Sequence, residues 1–204
     1  MPGDFEARQR AFAERVGAQG HDALASGTIV VIPSISFPSA ELRKITGIQH
    51  YEERLLFLLL WLKNPALRIV YVTSHRIDPV IVDYYLRWLD DPRAARSRLD
   101  FVSLDDHEPR GLSAKLVERP DVLDQLRELL SDRDEAVLLP FNVTTWERTL
   151  SDILDVPLYG PAPSSATSGR SLDRGGSRAR RACPCSRAPR TSTRSTRCRR
   201  RSTC

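Results

Sequence analysis

Seven polar side chains lie where loops could bring them to one edge of a folded sheet, and their types suit the binding of a small anion or polar substrate. The Ser/Pro loop at residues 33–39 offers hydroxyls and backbone amides to an anion, although such a loop is also an ordinary turn. Arg54 and Lys115 could bind a carboxylate or phosphate, or could form surface ion pairs instead. The candidate substrate-side residues are Ser34, Ser36, Arg54, Ser74, Lys115, Asn142 and Thr144.

The spacing of metal ligands and nucleophiles indicates neither a metal site nor a catalytic triad. No H-x-x-x-H or H-E-x-x-H pattern connects the histidines, which are His21, His50, His75 and His107. The acidic turn at residues 105–108 could attract a cation, but an exposed, solvated turn is the more ordinary interpretation. Cys183 and Cys185 lack a second close cysteine pair at zinc-ribbon spacing. We therefore assign no catalytic residue and no metal ligand from the sequence.

Phosphate-binding fingerprints are also missing from the sequence. Neither G-x-G-x-x-G nor G-x-x-x-x-G-K-[ST] follows any predicted strand. This argues against an NAD enzyme of the usual type and against a P-loop ATPase, and no cofactor-binding residue is assigned in this chain.

The elements that must position these side chains alternate between strand and helix. Apolar, β-branched runs predict strands at 28–32, 68–73, 99–104 and 135–141, with a possible short strand at 156–159. Helical patterns separate them, and Pro120 and a capping box at residues 144–147 mark two helix starts. The alternation predicts an α/β fold with a doubly wound, mainly parallel sheet, and ligands bind beyond the carboxyl ends of such strands. The connecting loops are predicted at 33–47, 74–79, 105–115 and 142–145.

Composition divides the chain into three parts. Residues 1–27 predict a leading amphipathic helix, residues 28–160 the α/β domain, and residues 161–204 an Arg-rich tail. The tail contains 12 Arg and one acid within a chain whose net charge is +5. It has almost no large apolar side chains, so we expect it to be disordered.

The distribution of cysteines and apolar runs bears on location. All four cysteines lie in the tail, so the folded part has no disulfide framework and a reducing, cytoplasmic setting is expected. Residues 1–19 are charged throughout and lack an apolar core, so we expect no signal peptide. The apolar run at residues 55–62 is shorter than the roughly 20 residues of a membrane span, so no membrane partner is expected. Glu52 and Glu53, just before this run, are interpreted as the solvated first turn of a helix.

Several segments in register resemble one family. They are VVIPSISFPSAELRKITGIQHYEERLLFLLLWLKNPALRIVYVTS, VDYYLRWL, KLVERP and LLPFNVTTWERTLSDILDVPLYGP. From residue 28 to residue 161 the chain resembles the N-terminal, pre-ATP-grasp region of ATP-grasp ligases of the pheganomycin peptide-ligase type. The resemblance implies a Rossmann-like layer that helps to shape a substrate cleft, with small-molecule carboxylate and amine substrates. It implies ATP and Mg²⁺ as cofactors of the intact enzyme, bound by residues beyond this region.

The resemblance stops at the Arg-rich tail, where the family continues with a Gly-Ser/Thr-Lys-Ser-Gly-type stretch and an Ala-Gly-Val-Pro segment. Back-translation of residues 176–203 with G+C-rich codons, read one nucleotide earlier, can spell a segment containing Ala-Gly-Val-Pro-Val. We therefore interpret the tail as a frameshift product and the chain as a truncated ligase that is inactive alone.

Two other functions remain open from the sequence. The chain could be a stand-alone α/β module that binds a small carboxylate or nucleotide. The basic tail could bind nucleic acid, but it has no aromatic side chains on which bases could stack, so only non-specific binding is expected.

Overall fold

The computed structural model describes residues 4–20, 24–130 and 135–160. His21, the four cysteines and the predicted basic tail at 161–204 lie outside the described residues. The predictions of tail disorder and of a frameshift therefore concern residues beyond this description.

Four strands form one parallel sheet in the order β3-β2-β1-β4. The strands are β1 Gly27–Ile32, β2 Leu67–Thr73, β3 Leu99–Ser103 and β4 Ala136–Pro140. β1 pairs with both β2 and β4, and β2 pairs with β3. The predicted short strand at 156–159 is represented by one parallel bridge between Leu138 and Leu158. The predicted parallel α/β sheet is thereby confirmed.

Helices cover both faces of this sheet. They are α1 Phe5–Gln19, α2 Ser39–Leu42, a 3₁₀ helix at Ile48–Lys63, α3 Pro79–Leu86, α4 Pro92–Arg96, α5 Leu112–Val117, α6 Pro120–Leu130 and α7 Thr145–Leu154. Val30 and Val70 belong to a core shared with α1, α5, α6 and α7. Ile29 and Ile69 belong to the opposite core, shared with the 3₁₀ helix, α3 and α4. Alternation along the strands thus directs side chains into two separate cores, as a doubly wound fold requires.

The 3₁₀ helix follows the spacing of its buried leucines. Leu56, Leu59 and Leu62 are each at most 1% exposed and recur every third residue. A 3₁₀ helix has three residues per turn, so side chains three positions apart lie in line along one face. This face packs on β1 and β2, and the opposite face reaches solvent through Phe57 and Leu60.

The leading helix α1 is held on the surface of the sheet by two kinds of contact. Phe5 and Phe12 are buried, as the amphipathic pattern predicts. Arg8 forms ion pairs with Asp152 at 2.8 Å and Asp155 at 2.6 Å, at the carboxyl end of α7. These contacts are long-range in sequence and connect the start of the described chain to its last helix.

Two predicted loops contain helices, since α2 at Ser39–Leu42 lies within the predicted loop 33–47 and α5 begins within the predicted loop 105–115. Residues 105–115 were predicted to be loop, but α5 begins at Leu112. Leu112 and Leu116 are buried and lie four positions apart, which is a helical spacing. They pack in the same core as Val30 and Val70. This correction matters because it places Lys115 on a rigid element.

Candidate functional site

The carboxyl ends of all four strands meet at one edge of the sheet. The strand order reverses between β1 and β4, since β2 and β3 follow on one side of β1 and β4 lies on the other. Ligands of doubly wound folds bind at such a reversal, outside the carboxyl ends of the strands. Six of the seven candidate residues lie at this edge, and five of them belong to two separate groups.

The first group is a buried polar network of Glu52, Ser74 and Lys115. Ser74 follows β2, and its hydroxyl and backbone N–H donate to the two carboxylate oxygens of Glu52 at 2.6 and 2.5 Å. Lys115 Nζ donates to Ser74 Oγ at 3.1 Å, and its side chain is 2% exposed. The three residues come from the 3₁₀ helix, the end of β2 and α5, so the network connects both helical layers across the sheet edge.

Burial and nearby charge act in opposite directions on the ionisable groups of this network. Burial raises the pKa of Glu52, while the Ser74 hydrogen bonds and the Lys115 charge act in the opposite direction. Lys115 also donates to the backbone carbonyl of Asp106 at 2.8 Å and lies 3.6 Å from its carboxylate. The ammonium therefore has both a neutral acceptor and nearby negative charge, which a buried lysine needs.

A small cavity adjoins the network. Its volume is about 30 Å³, and Ser74, His75, His107 and Lys115 are among its lining residues. That volume has room for only a few water molecules, so a substrate would not fit inside it.

The second group lies at the reversal between β1 and β4. Ser36 donates through its backbone to Asn142 Oδ1 at 3.4 Å and through its hydroxyl to Glu147 Oε1 at 3.3 Å. Glu147 is fully buried and accepts the Thr144 backbone N–H at 2.7 Å, which completes the predicted capping box of α7. These side chains are engaged in joining the β1 loop to α7.

Ser34 and Arg54 have local roles. Ser34 Oγ accepts from the Ser113 backbone N–H at 3.1 Å and so binds the first turn of α5. Arg54 is exposed, with its guanidinium carbon 3.9 Å from the Tyr51 ring centroid, and it joins neither group. Its contact is a cation–π interaction on the outside of the 3₁₀ helix.

The large groove at this edge contains none of the seven candidate residues. It has a volume of about 410 Å³ and extends from the ends of β2 and β3, where Thr73 and Ser103 line it. Its charged lining residues are Arg76, Asp83, Arg96 and Asp105. Arg76 Nη2 lies 3.3 Å from Asp105 Oδ2, and hydrogen bonding from Arg76 lowers the pKa of Asp105. The volume lies within the range of small-molecule sites, and charges of both signs line it.

Sequence reasoning missed Glu52 and Glu147. Glu52 was expected to be solvated, but it is 8% exposed, and Glu147 was seen only as half of a capping box. A signal for Glu147 existed, because a capping-box acid following an apolar strand must lie close to the strand end. For Glu52 the sequence holds no local signal, since its partner Ser74 is 22 residues away.

The comparison with curated proteins finds a distant relative. Over 122 residues the chain is 26% identical to the L-propargylglycine–L-glutamate ligase of Streptantibioticus cattleyicolor. The 122 matched residues are thus similar to part of a ligase. The match takes in 57% of this chain and 25% of the relative, so the chain spans about a quarter of that ligase. No family model matches the chain, and no solved structure matches it.

The described helices bear on membrane insertion. None of them is long and apolar enough to cross a bilayer.

Proposed function

We propose that residues 28–160 are the substrate-side α/β domain of an ATP-dependent carboxylate–amine ligase. The observation that carries this proposal is the similarity over 122 residues to a ligase. The parallel sheet supports this role, and its groove lies at the carboxyl ends of β2 and β3, beside the reversal between β1 and β4 rather than at it.

The groove is suited to an amino-acid-like substrate. Arg76 and Arg96 can bind a carboxylate, since guanidinium groups pair with carboxylates through charge-assisted hydrogen bonds. Asp83 and Asp105 can bind an ammonium group on the same ligand. The name of the relative contains two amino acids, and we extend that substrate class to this groove.

Two observations support placing ATP outside the described residues. The polar cavity at Ser74 and Lys115 has room for only a few waters, and no glycine-rich turn follows any described strand. We propose that ATP and Mg²⁺ belong to other segments of the intact ligase. The activated acyl-phosphate would form there, and this domain would hold and orient the substrate.

Binding of small amino acids to the full chain tests the groove. Calorimetry with L-glutamate and other α-amino acids should detect a ligand whose dissociation constant rises at least about tenfold in Arg76→Gln, because a hydrogen bond to a charged group is worth about 1.5–3 kcal/mol. Arg93→Gln is the matched control, since Arg93 is an exposed arginine on α4 outside the groove lining. Equal affinity in both variants would contradict the assignment of the groove.

Resequencing the gene from codon 150 onward tests the proposed frameshift. We expect an inserted or deleted base near codon 162, followed by a long reading frame that resembles a ligase. The protein made from the restored frame should then release ADP in the presence of a carboxylate and an amine. A confirmed stop after Cys204 with no such frame downstream would contradict the proposal that the chain is a truncated ligase.

A second candidate, the small-ligand-binding module, is favoured by the groove alone. It predicts the same binding by the full chain, but no ADP release by the restored protein with any amine. ADP release by the restored protein therefore distinguishes the two functions.

A further inference from the structure

Two histidines and a glutamate from separate parts of the sequence meet beside the buried polar network. His50 Nδ1 lies 2.9 Å from Glu53 Oε1, and His75 Nε2 lies 3.5 Å from the same oxygen. The ligand atoms of the three residues all lie within 4.8 Å of one another. The edge-on rings of His50 and His75 have centroids 5.7 Å apart.

Two features of the fold create this cluster. His50 and Glu53 are three positions apart on the 3₁₀ helix, where side chains at that spacing lie directly in line. His75 is the second residue after β2, and the adjoining Ser74 is fixed to Glu52 by two hydrogen bonds. The neighbours of Glu53 and His75 are thus held together by a buried contact, which keeps the ligand atoms at a defined separation.

We propose that His50, Glu53 and His75 bind one divalent transition-metal ion of the Zn²⁺ type. Two imidazoles and one carboxylate form a three-residue ligand set that zinc uses in proteins when a fourth position is left to water or a ligand. Bonds of about 2.0–2.1 Å in a tetrahedral site place ligand atoms roughly 3.3 Å apart. The two distances to Glu53 Oε1 lie on either side of this value, and the two histidine nitrogens lie within 4.8 Å of each other.

The chemistry of the cluster selects the class of ion. Imidazole nitrogen favours zinc and other late transition metals, while Mg²⁺ and Ca²⁺ prefer sites made entirely of oxygen. His75 is the least exposed of the three side chains, at 12%, and its Nδ1 is buried without a hydrogen-bond partner among the described residues. Because Nδ1 is buried and Nε2 faces Glu53, Nε2 is the nitrogen that His75 presents to an ion.

The site has a definite relation to the candidate functional site. His75 lines the small cavity that also contacts Ser74 and Lys115. An ion at the cluster would therefore lie at the mouth of the buried network and could hold the carboxylate of a ligand bound at the sheet edge. The metal proposal does not depend on the ligase proposal, since it rests on this geometry alone.

Calorimetric titration with Zn²⁺ tests the site in the full chain. Cysteines are strong zinc ligands, so the same titration is made with a chain in which Cys183, Cys185, Cys198 and Cys204 are changed to Ser. We expect that chain to bind one Zn²⁺ at submillimolar concentration and to gain thermal stability from it. His50→Ala, at a side chain that is 62% exposed, should weaken binding at least about tenfold.

His107→Ala is the matched control. The His107 ring stacks on His75 with centroids 6.1 Å apart but lies outside the three-residue set, so this variant should bind Zn²⁺ within about threefold of the parent chain. No Zn²⁺ binding by the chain without cysteines would overturn the proposal. Equal loss of affinity in His50→Ala and His107→Ala would also overturn it.

Discussion

Ser74 donates two hydrogen bonds to Glu52, one from its hydroxyl to Oε1 at 2.6 Å and one from its backbone N–H to Oε2 at 2.5 Å. This contact joins the 3₁₀ helix to the carboxyl end of β2 and sets the position of both neighbouring residues, Glu53 and His75. Both hydrogen bonds are accepted by the Glu52 carboxyl group, so their strength depends on whether that group is protonated.

Glu52 should make the stability of the domain decrease as the pH rises. Burial raises its pKa in the folded state above the ordinary value of 4.5. The folded state thus binds the Glu52 proton more tightly than the unfolded state. This stabilising contribution is complete below the unfolded pKa and is lost as the pH rises through the folded pKa.

Glu52→Gln removes this titration and keeps a side chain of similar shape. The free energy of unfolding of the variant minus that of the parent should therefore increase as the pH is raised from about 4 to neutrality, because only the parent loses this contribution. Urea denaturation at a series of pH values measures this difference, in which the other titrating groups cancel. A constant difference across the range would show that the pKa of Glu52 is not raised.

Lys115 should be needed for the stability of the same network. Lys115→Met removes the donor to Ser74 Oγ and to the Asp106 carbonyl, and it takes away the charge that lowers the Glu52 pKa. We expect a loss of about 2–3 kcal/mol in the free energy of unfolding at neutral pH, because buried partners are left unpaired.

Lys44→Met is the control for this change, since Lys44 is 68% exposed and pairs only with Glu41, three positions away. Its effect should stay below about 0.5 kcal/mol. Thermal or urea unfolding of both variants compares a buried with an exposed lysine. Similar small losses in the two would show that Lys115 is not held in the buried network.

The order of the strands and of the longer helices could be predicted because local chemistry determines it, whereas the short helices α2, α4 and α5 were not predicted. The β-branched runs give buried strands, Pro120 begins α6, and Thr144 with Glu147 caps α7, each as the sequence indicates. All of these signals act within a few residues. The doubly wound fold then follows, since buried strands that alternate with helices pair in parallel.

The candidate site could be predicted only in part. Ser74 lies at the sheet edge because residues that follow parallel strands converge there, whereas Lys115 reaches it from α5. Their contact with Glu52 could not be foreseen, since it depends on how the 3₁₀ helix packs on β2. His50 and His75 were regarded as scattered for the same reason, although the fold places their ligand atoms within 4.8 Å of each other and of Glu53.

Thr144 should contribute a measurable part of the stability of α7. Its side chain accepts the Trp146 backbone N–H at 3.2 Å, and its own N–H is bound by Glu147. Thr144→Ala should lower the free energy of unfolding by about 1 kcal/mol, as N-cap removal does in other helices. Thr149→Ala is the control inside the same helix, where the hydroxyl bonds only to the Thr145 carbonyl. An equal loss from the two changes would mean that capping adds nothing beyond general helix packing.

Gly27 should tolerate no side chain, because it starts β1 with a φ of +90°. An added Cβ would overlap the backbone carbonyl oxygen of Glu135, which accepts the Thr28 N–H in the pairing of β1 with β4. Gly27→Ala therefore has to strain its own backbone or move β4, and we expect a loss of about 2–4 kcal/mol in the free energy of unfolding.

Gly17→Ala is the opposite case, since no atom lies within 4 Å of its added Cβ and the residue is inside α1. That change should raise the free energy of unfolding by about 0.5–1 kcal/mol through helix propensity. Urea unfolding measures the stability of both variants. If Gly27→Ala were as stable as the parent chain while Gly17→Ala behaved as expected, the described pairing of β1 with β4 would be contradicted.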